Sequence, residues 1–283
     1  MRIVIIGSRG MLGQAFCRVA QARGYEVIGF GRSNTVVCGD LTDDQKVAEL
    51  FKKSCPDLVV NCAAIINIEE CNVDPLQAWR VNARGVGILS NLCRLYGAKF
   101  VQISTDHYYC DEGRFAHNEQ APLKFFNEYG RTKFAGEAFA LTFDRSLVLR
   151  TNIIGFRGNK NLTMAEWAFD AVENDREVTL FEDSFVSSID TESFAKATLD
   201  LVSLGCTGLV NLASSEVFSK RELIEMIASE LGCHLTRATI GTVRDLKVER
   251  ADSCGLDVRK AESILGYKLP TLQETVSRLV KIR

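Results

Sequence analysis

Short apolar runs alternate along this chain with longer segments of helical period, and that alternation restricts the fold more than any other feature. Candidate strands occupy residues 3–6, 26–30, 58–61, 100–104 and 147–150, each a nearly continuous apolar run. A strand that is apolar on both sides must be covered on both sides, the condition of a parallel sheet. Between these runs, residues 11–23, 44–53, 76–96 and 129–141 place apolar side chains three and four apart, as helices packed on a sheet require. Repeated strand-helix-strand units predict an α/β chain with a Rossmann-type doubly wound parallel sheet.

After Arg150 the rhythm loosens. Helices are expected over 161–174 and 191–203, a strand over 178–181 and a late strand over 209–212. Ser219, with Glu222 three residues on, forms a capping box that opens another helix. A helix over 258–265 is stopped by Gly266, and a last one runs over 272–280 beyond Pro270. Residues 1–150 are therefore expected to form the large domain, rejoined by about 184–213, with 151–183 and 214–283 making a smaller C-terminal lobe.

At 283 residues the chain can bury a substantial core without staples. Its ten cysteines are scattered with no C-x-x-C pair, and they read as reduced thiols, several of them core filler. Net charge is -2, so no overall positive field attracts nucleic acid or an anionic membrane surface. The first apolar run is too short for a signal peptide and none is long enough to span a bilayer, so a cytoplasmic protein is expected.

Directly after the first strand comes Gly7-Ser8-Arg9-Gly10-Met11-Leu12-Gly13, a G-x-x-G-x-x-G run that opens a helix. In that position Gly7 turns the chain off the strand, Gly10 lets backbone approach a dinucleotide pyrophosphate, and Gly13 lets helix and sheet pack closely. The helix N-terminus adds free N–H groups and partial positive charge. The second strand ends in Gly31-Arg32-Ser33, about 20 residues beyond the loop, where an acidic residue would select NAD and an arginine a 2'-phosphate. Arg32 and Ser33, with Arg9 closing from the loop, predict NADPH, with NADH as a weaker substitute. Asp40-Leu41 is expected to flank the adenine, and Cys62-Ala63-Ala64 is a small-residue strand end that a ribose can approach. Residues 1–150 thus become the expected NADP-binding domain.

Tyr129 and Lys133 stand four residues apart on an expected helix, so both project from one face. A phenol of ordinary pKa near 10 is a poor acid at neutral pH, and a neighbouring ammonium lowers that pKa by stabilising the phenolate. Tyr129 then becomes a usable general acid. Ser104-Thr105-Asp106 supplies further donors at the C-terminal end of the fourth strand, the edge where doubly wound sheets assemble their sites.

The glycine loop, Ser104-Thr105-Asp106, Tyr129 to Lys133 and Ala135-Gly136-Glu137 together resemble the dTDP-4-dehydrorhamnose reductase-like family of extended short-chain dehydrogenases/reductases, the sugar-nucleotide reductases. Val60-Asn61-Cys62-Ala63-Ala64, Val81-Asn82, Leu149-Arg150-Thr151, Leu256-Asp257 and Leu265-Gly266 extend the likeness over most of the chain. The resemblance implies an NADPH-dependent ketoreductase of deoxysugar and polysaccharide biosynthesis. In it Thr105 would hold the substrate carbonyl, Tyr129 would donate the proton, and Lys133 would hold the nicotinamide ribose. The substrate would be a nucleotide-linked 4-keto-6-deoxy sugar, and the lobe of 151–183 and 214–283 would bind it. A homodimer is possible by the same likeness. Two relatives in type are alternatives: an epimerase or dehydratase with tightly bound NAD, and a regulatory subunit that binds NADP without turnover.

The chain departs from the family where the sugar should sit. Glu182-Asp183-Ser184-Phe185-Val186-Ser187-Ser188 replaces a D-Q-x-G-x-P-T run, and Asn152-Ile153-Ile154 replaces an aromatic residue after the R-T pair. Asp106, Asn152 and Arg250 are therefore candidate substrate contacts beside Thr105. Arg157, Lys160 and Arg244 are further candidates to pair with a diphosphate, with an ordinary surface charge as the alternative for each. His107, His117 and His234 are too widely spaced to suggest a zinc site, and no metal is expected.

Overall fold

The structure is a computed structural model that describes residues 1–109, 113–158, 162–245 and 251–283. Six strands, β1 (Arg2–Ile6), β2 (Glu26–Gly31), β3 (Val37–Cys38), β4 (Leu58–Asn61), β5 (Lys99–Ile103) and β6 (Ser146–Arg150), join the strand Gly208–Asn211 in one seven-stranded sheet. From one edge the order is β3-β2-β1-β4-β5-β6, then Gly208–Asn211. Every pairing from β3 to β6 is parallel. Strand order reverses between β1 and β4, and doubly wound sheets take their ligands at the carboxyl edge of that switch. The expected Rossmann-type sheet is present, with β3 added, a pair too short to show in an apolar pattern.

The strands are held by the core their sequences predict. On one face Val47, Leu50 and Phe51 of helix α2 (Asp44–Ser54) pack with Val4, Val59 and Phe100 of the sheet, all essentially inaccessible. Asp43 caps α2 by accepting from the Gln45 and Lys46 amides, while Lys52 and Lys53 complement the dipole at its other end. Helix α1 (Met11–Ala22) follows β1 directly, and Phe16 and Ala15 are its buried face.

One helix was expected over 76–96, and the structure divides it. A short helix α3 (Ile68–Val73), capped by Asn67, precedes α4 (Pro75–Trp79), a π-helical turn at Arg80–Arg84, and α5 (Gly85–Tyr96). A π turn carries one extra residue and so re-aims the side chains within it. Asn82 is the residue re-aimed: its amide bridges the Ile65 backbone and Thr132 in α6 (Glu128–Leu141). The apolar period cannot reveal this, since the residues on either side keep their helical spacing.

The chain divides into two compact units. The first comprises Met1–Thr105, Asn127–Arg150 and Ala195–Val210, and the second Asp106–Phe126, Thr151–Phe194 and Asn211–Arg283. Two boundaries differ from expectation: Asp106–Phe126 leaves the large domain for the second unit, and the returning segment is Ala195–Val210 rather than about 184–213.

The second unit has its own core. Phe169 and Val172 of the Met164–Glu173 helix pack with Leu223 and Ile227 of Lys220–Leu231 and with Val276 and Leu279 of Leu272–Ile282. Thr163, Ser219 and Thr271 each form a capping box at the start of these helices. Three short pairings that the sequence did not show complete the unit: Asn152–Ile154 with Ser188–Asp190, Val178–Phe181 with Ala238–Gly241, and Phe185–Val186 with Phe218–Ser219. Among the described residues no helix is long and apolar enough to cross a membrane.

Gly136 of α6 lies so close to the π turn that an added Cβ would fall on the Asn82 carbonyl oxygen. Gly136→Ala is expected to cost about 1–3 kcal/mol or more, because neither backbone can withdraw without breaking its helix. Urea unfolding measures it, and an unchanged midpoint would remove the claim that α6 and the π turn are locked together.

Candidate active site

The loop between β1 and α1 has the geometry its glycines predict. Gly7 adopts φ +75°, its amide donates to the Phe30 carbonyl at 2.8 Å, and an added Cβ would meet the Ala63 nitrogen at 2.9 Å. A Cβ at Gly13 would fall on the Gly7 carbonyl oxygen. Gly10 occupies the N-cap of α1 without any side-chain cap, and a Cβ there would meet only the Gly7 oxygen, at 3.2 Å. No side chain caps the first turn of α1, so its N–H groups are the donors a pyrophosphate would take.

Around this loop the expected cofactor residues take unequal positions. Arg9, Arg32 and Ser33 are exposed, Met11 is half-buried and Leu12 is buried. Asp40 accepts from both the amide and the hydroxyl of Thr42, which together with the nearby Arg32 guanidinium hold its carboxyl below the usual range. Leu41 is a core residue: it lies in the cluster with Val4 and Phe30, and the absent Cβ of Gly85 makes room for it.

Cys62-Ala63-Ala64, all half-buried, leave β4 beside the loop. Burial raises the Cys62 thiol, so it is neutral. Asn61 holds this strand end by accepting from the Ala63 amide at 3.1 Å and donating to Gln102 Oε1 at 2.8 Å. Gln102 in turn donates to the Ile103 carbonyl at 2.7 Å, the same carbonyl that takes the Lys133 ammonium at 2.6 Å.

Thr105 follows β5, and Tyr129 and Lys133 lie in the first two turns of α6, all in the first unit, where Lys133 reaches back to the Ile103 carbonyl of β5. Asn127 caps α6 by accepting from the Gly130 amide at 3.0 Å, and this fixes the turn that carries Tyr129. Relative exposure is 3% for Thr105, 8% for Tyr129 and 4% for Lys133. Burial lowers the Lys133 pKa to about 8, against the opposing pull of Glu137 and of the Cys62 and Cys71 sulfurs. An ammonium this dry is close to its proton-release point, and its field on a neighbouring phenol is little screened.

Beneath these residues lies an ion pair that the sequence reading left out. Arg150 Nε donates to Glu137 Oε2 at 3.1 Å, Arg150 Nη2 donates to Oε1, and Ser104 Oγ donates to Oε2 at 2.9 Å. Both charged side chains are at most 3% exposed. The network ties β5, α6 and β6 together one residue from Thr105 and one turn from Lys133. Glu137 and Arg150 were quoted only within motifs; a charged pair at the inner ends of a helix and an otherwise apolar strand was the available signal.

In the second unit Asn152 Nδ2 donates to Asp106 Oδ2 at 2.7 Å, and Ser188 Oγ donates to Asn152 Oδ1 at 2.6 Å. Asp106 is buried and Asn152 half-buried, so Asn152 is the more accessible of the two expected substrate contacts. Arg157 is half-buried, and Arg244 is exposed. Arg250 and Lys160 lie outside the described residues.

The family model described as RmlD substrate binding domain matches residues 1–283. The chain belongs to that family. A probable low-salt glycan biosynthesis reductase of Haloferax volcanii is 30% identical to it, covering 99% of this chain and 97% of its own length. A dTDP-4-dehydrorhamnose reductase of Escherichia coli K12 is 24% identical over 99% of this chain and 97% of its own length. Among solved structures, the dTDP-4-dehydrorhamnose reductase of Bacillus anthracis in complex with NADP superposes with a TM-score of 0.89 at 20% identity, covering 100% of this chain and 98% of that one. The RmlD-like fold is thus shared across chains of low overall identity.

Two outcomes test the electrostatics of this site. Glu137→Gln leaves Arg150 buried and unpaired, and is expected to cost about 3–5 kcal/mol in urea unfolding; a loss below about 1 kcal/mol would show the pair to be solvated. For Lys133, the folded chain releases the proton near pH 8 and the unfolded chain near 10.5. Between those values the unfolded chain binds more protons, so stability rises with pH across that window, while below it the burial penalty is present in full. Unfolding free energies of the parent should rise relative to Lys133→Met between about pH 8 and 10.5, and parallel curves would contradict the assignment.

Proposed function

We propose that this chain reduces the keto group of a nucleotide-linked 4-keto-6-deoxy sugar to a hydroxyl, with hydride from NADPH and a proton from Tyr129. The observation that supports the reading is the burial of both Tyr129 and Lys133 on α6, with the Lys133 ammonium held by the Ile103 carbonyl two residues before the buried Thr105. The reductase names of the family's relatives support the reaction class, and the complex of the Bacillus anthracis structure with NADP supports the cofactor.

NADPH, when bound, supplies the hydride. Arg32 and Arg9 are placed in the chain to pair with a 2'-phosphate, and the uncapped amides of α1 would take the pyrophosphate. Thr105 would donate a hydrogen bond to the keto oxygen, which polarises the carbonyl and orients it. Tyr129 would pass its phenolic proton to that oxygen as negative charge develops there. Lys133 would stabilise the resulting phenolate, its ammonium held toward the Ile103 carbonyl. Hydride on carbon and proton on oxygen complete the alcohol. Asn152 would contact the sugar, with Asp106 orienting its amide.

The substrate lobe would be the second unit. Its Glu182 to Ser188 segment differs from the family pattern, which favours a keto sugar other than the rhamnose precursor. A homodimer would bury the exposed Leu76, Trp79 and Phe139 of the first unit.

NADPH oxidation against a panel of nucleotide-linked 4-keto-6-deoxy sugars tests the proposal. Tyr129→Phe is expected to lower kcat by about 10²–10⁴-fold, and equal rates would remove the proton donor. Because Lys133 loses its proton near pH 8, kcat/KM should fall as pH rises through that value. Release of one NADP per sugar reduced separates this reaction from an epimerase or dehydratase, which regenerates its cofactor.

A further inference from the structure

The turn that leaves β5 brings Asp106, which orients Asn152 in the proposed reduction, together with His107 and Cys254, which have no part in it. Asp106, His107 and Cys254 each aim one ligand atom into the same small volume, with all three atoms within 4.8 Å of one another. We propose that Asp106, His107 and Cys254 form a zinc site in the second unit, with three protein ligands and a fourth position left for water or a substrate oxygen.

The donor set selects the metal. A thiolate, an imidazole and a carboxylate are the ligands zinc takes at about 2.0–2.3 Å in tetrahedral sites, whereas magnesium and calcium prefer oxygen alone. Tetrahedral coordination places ligand atoms about 3.3–3.8 Å apart, inside the 4.8 Å within which all three lie. Charge also balances: one thiolate and one carboxylate neutralise the dication, with neutral imidazole as third ligand. The two anionic ligands are buried and His107 is half-buried, with its Nδ1 atom shielded from solvent.

The surroundings hold two of the ligands in place. The Asp106 carboxylate accepts from Asn152, which accepts from Ser188, an outer-shell chain of the kind that orients metal-bound carboxylates. Cys254 is fixed by its backbone: the Cys254 amide donates to the Phe185 carbonyl at 2.8 Å, and the Phe185 amide donates to the Asp252 carbonyl at 2.7 Å. The Cys254 sulfur has only a long contact, 3.6 Å, to the Ala251 carbonyl. In the metal-free chain burial and the Asp106 charge keep it a thiol; zinc would displace that proton to solvent and take the thiolate. Bound zinc would then tie the turn immediately after Thr105 to the segment around Cys254.

Cobalt(II) added anaerobically to the full-length, reduced, chelator-treated protein tests the site with an optical readout that owes nothing to reductase activity. The expected result is one cobalt per chain, tetrahedral visible bands, a near-ultraviolet thiolate-to-cobalt band, and displacement of all of them by zinc. Cys254→Ser should remove the thiolate band while circular dichroism stays unchanged. His107→Gln, at a half-buried position, guards against misfolding and should weaken binding at least tenfold. Asn152→Ala should keep the thiolate band and weaken binding by about 10–100-fold. No band in the parent, or an undiminished band in Cys254→Ser, overturns the proposal. A chain that binds cobalt as expected but oxidises no NADPH would count against the reductase reading and leave the zinc site standing.

Discussion

The buried pair of Glu137 and Arg150 is the contact on which the candidate active site depends. Two charges at most 3% exposed are tolerable only when each is paired and hydrogen-bonded, and here the carboxylate takes the guanidinium of β6 and the Ser104 hydroxyl at the end of β5. The ion pair thereby specifies the relative position of three elements that apolar packing alone would leave free to slide. Thr105 follows Ser104, and Lys133 lies one turn before Glu137. The positions of Thr105 and Lys133 are in this sense tied to the electrostatics of the core.

A second constraint acts from the other side of α6. The π turn at Arg80–Arg84 lets Asn82 reach both the Ile65 backbone and Thr132, and Gly136 lets the two helices approach until backbone meets backbone. A third runs through the sheet, from the Ala63 amide through Asn61 and Gln102 to the Ile103 carbonyl that receives Lys133. The strand end beside the glycine loop and the Lys133 ammonium are therefore parts of one hydrogen-bonded chain. Such a chain explains how a lysine can be buried among apolar residues and yet keep a fixed position.

Much of this was legible in advance. The glycine loop, the strand ends and the Tyr129–Lys133 spacing are local patterns, and the structure places them at the carboxyl edge of the sheet as the patterns require. Ser219 and Gly266 delimit their helices as expected, by a capping box and a left-handed C-cap. Leu41 marks the limit of such patterns: an apolar residue after a strand can face a ligand or the core, and only its packing against Gly85 shows that its side chain lies in the core. The second unit was read least well, because its strands are two to four residues long and carry no periodic signal.

By itself the sequence determined the order of strands and helices, the parallel sheet and the family likeness, because each depends on side-chain period or on a local motif. Only the tertiary structure decided that Glu137 meets Arg150 and Ser104, that Asn82 turns toward Thr132, and that Cys254 arrives beside Asp106 and His107. Those pairs are far apart along the chain or re-aimed by a local irregularity. Their meeting is set by the balance of packing and backbone hydrogen bonds over a whole unit, which no local pattern of residues records.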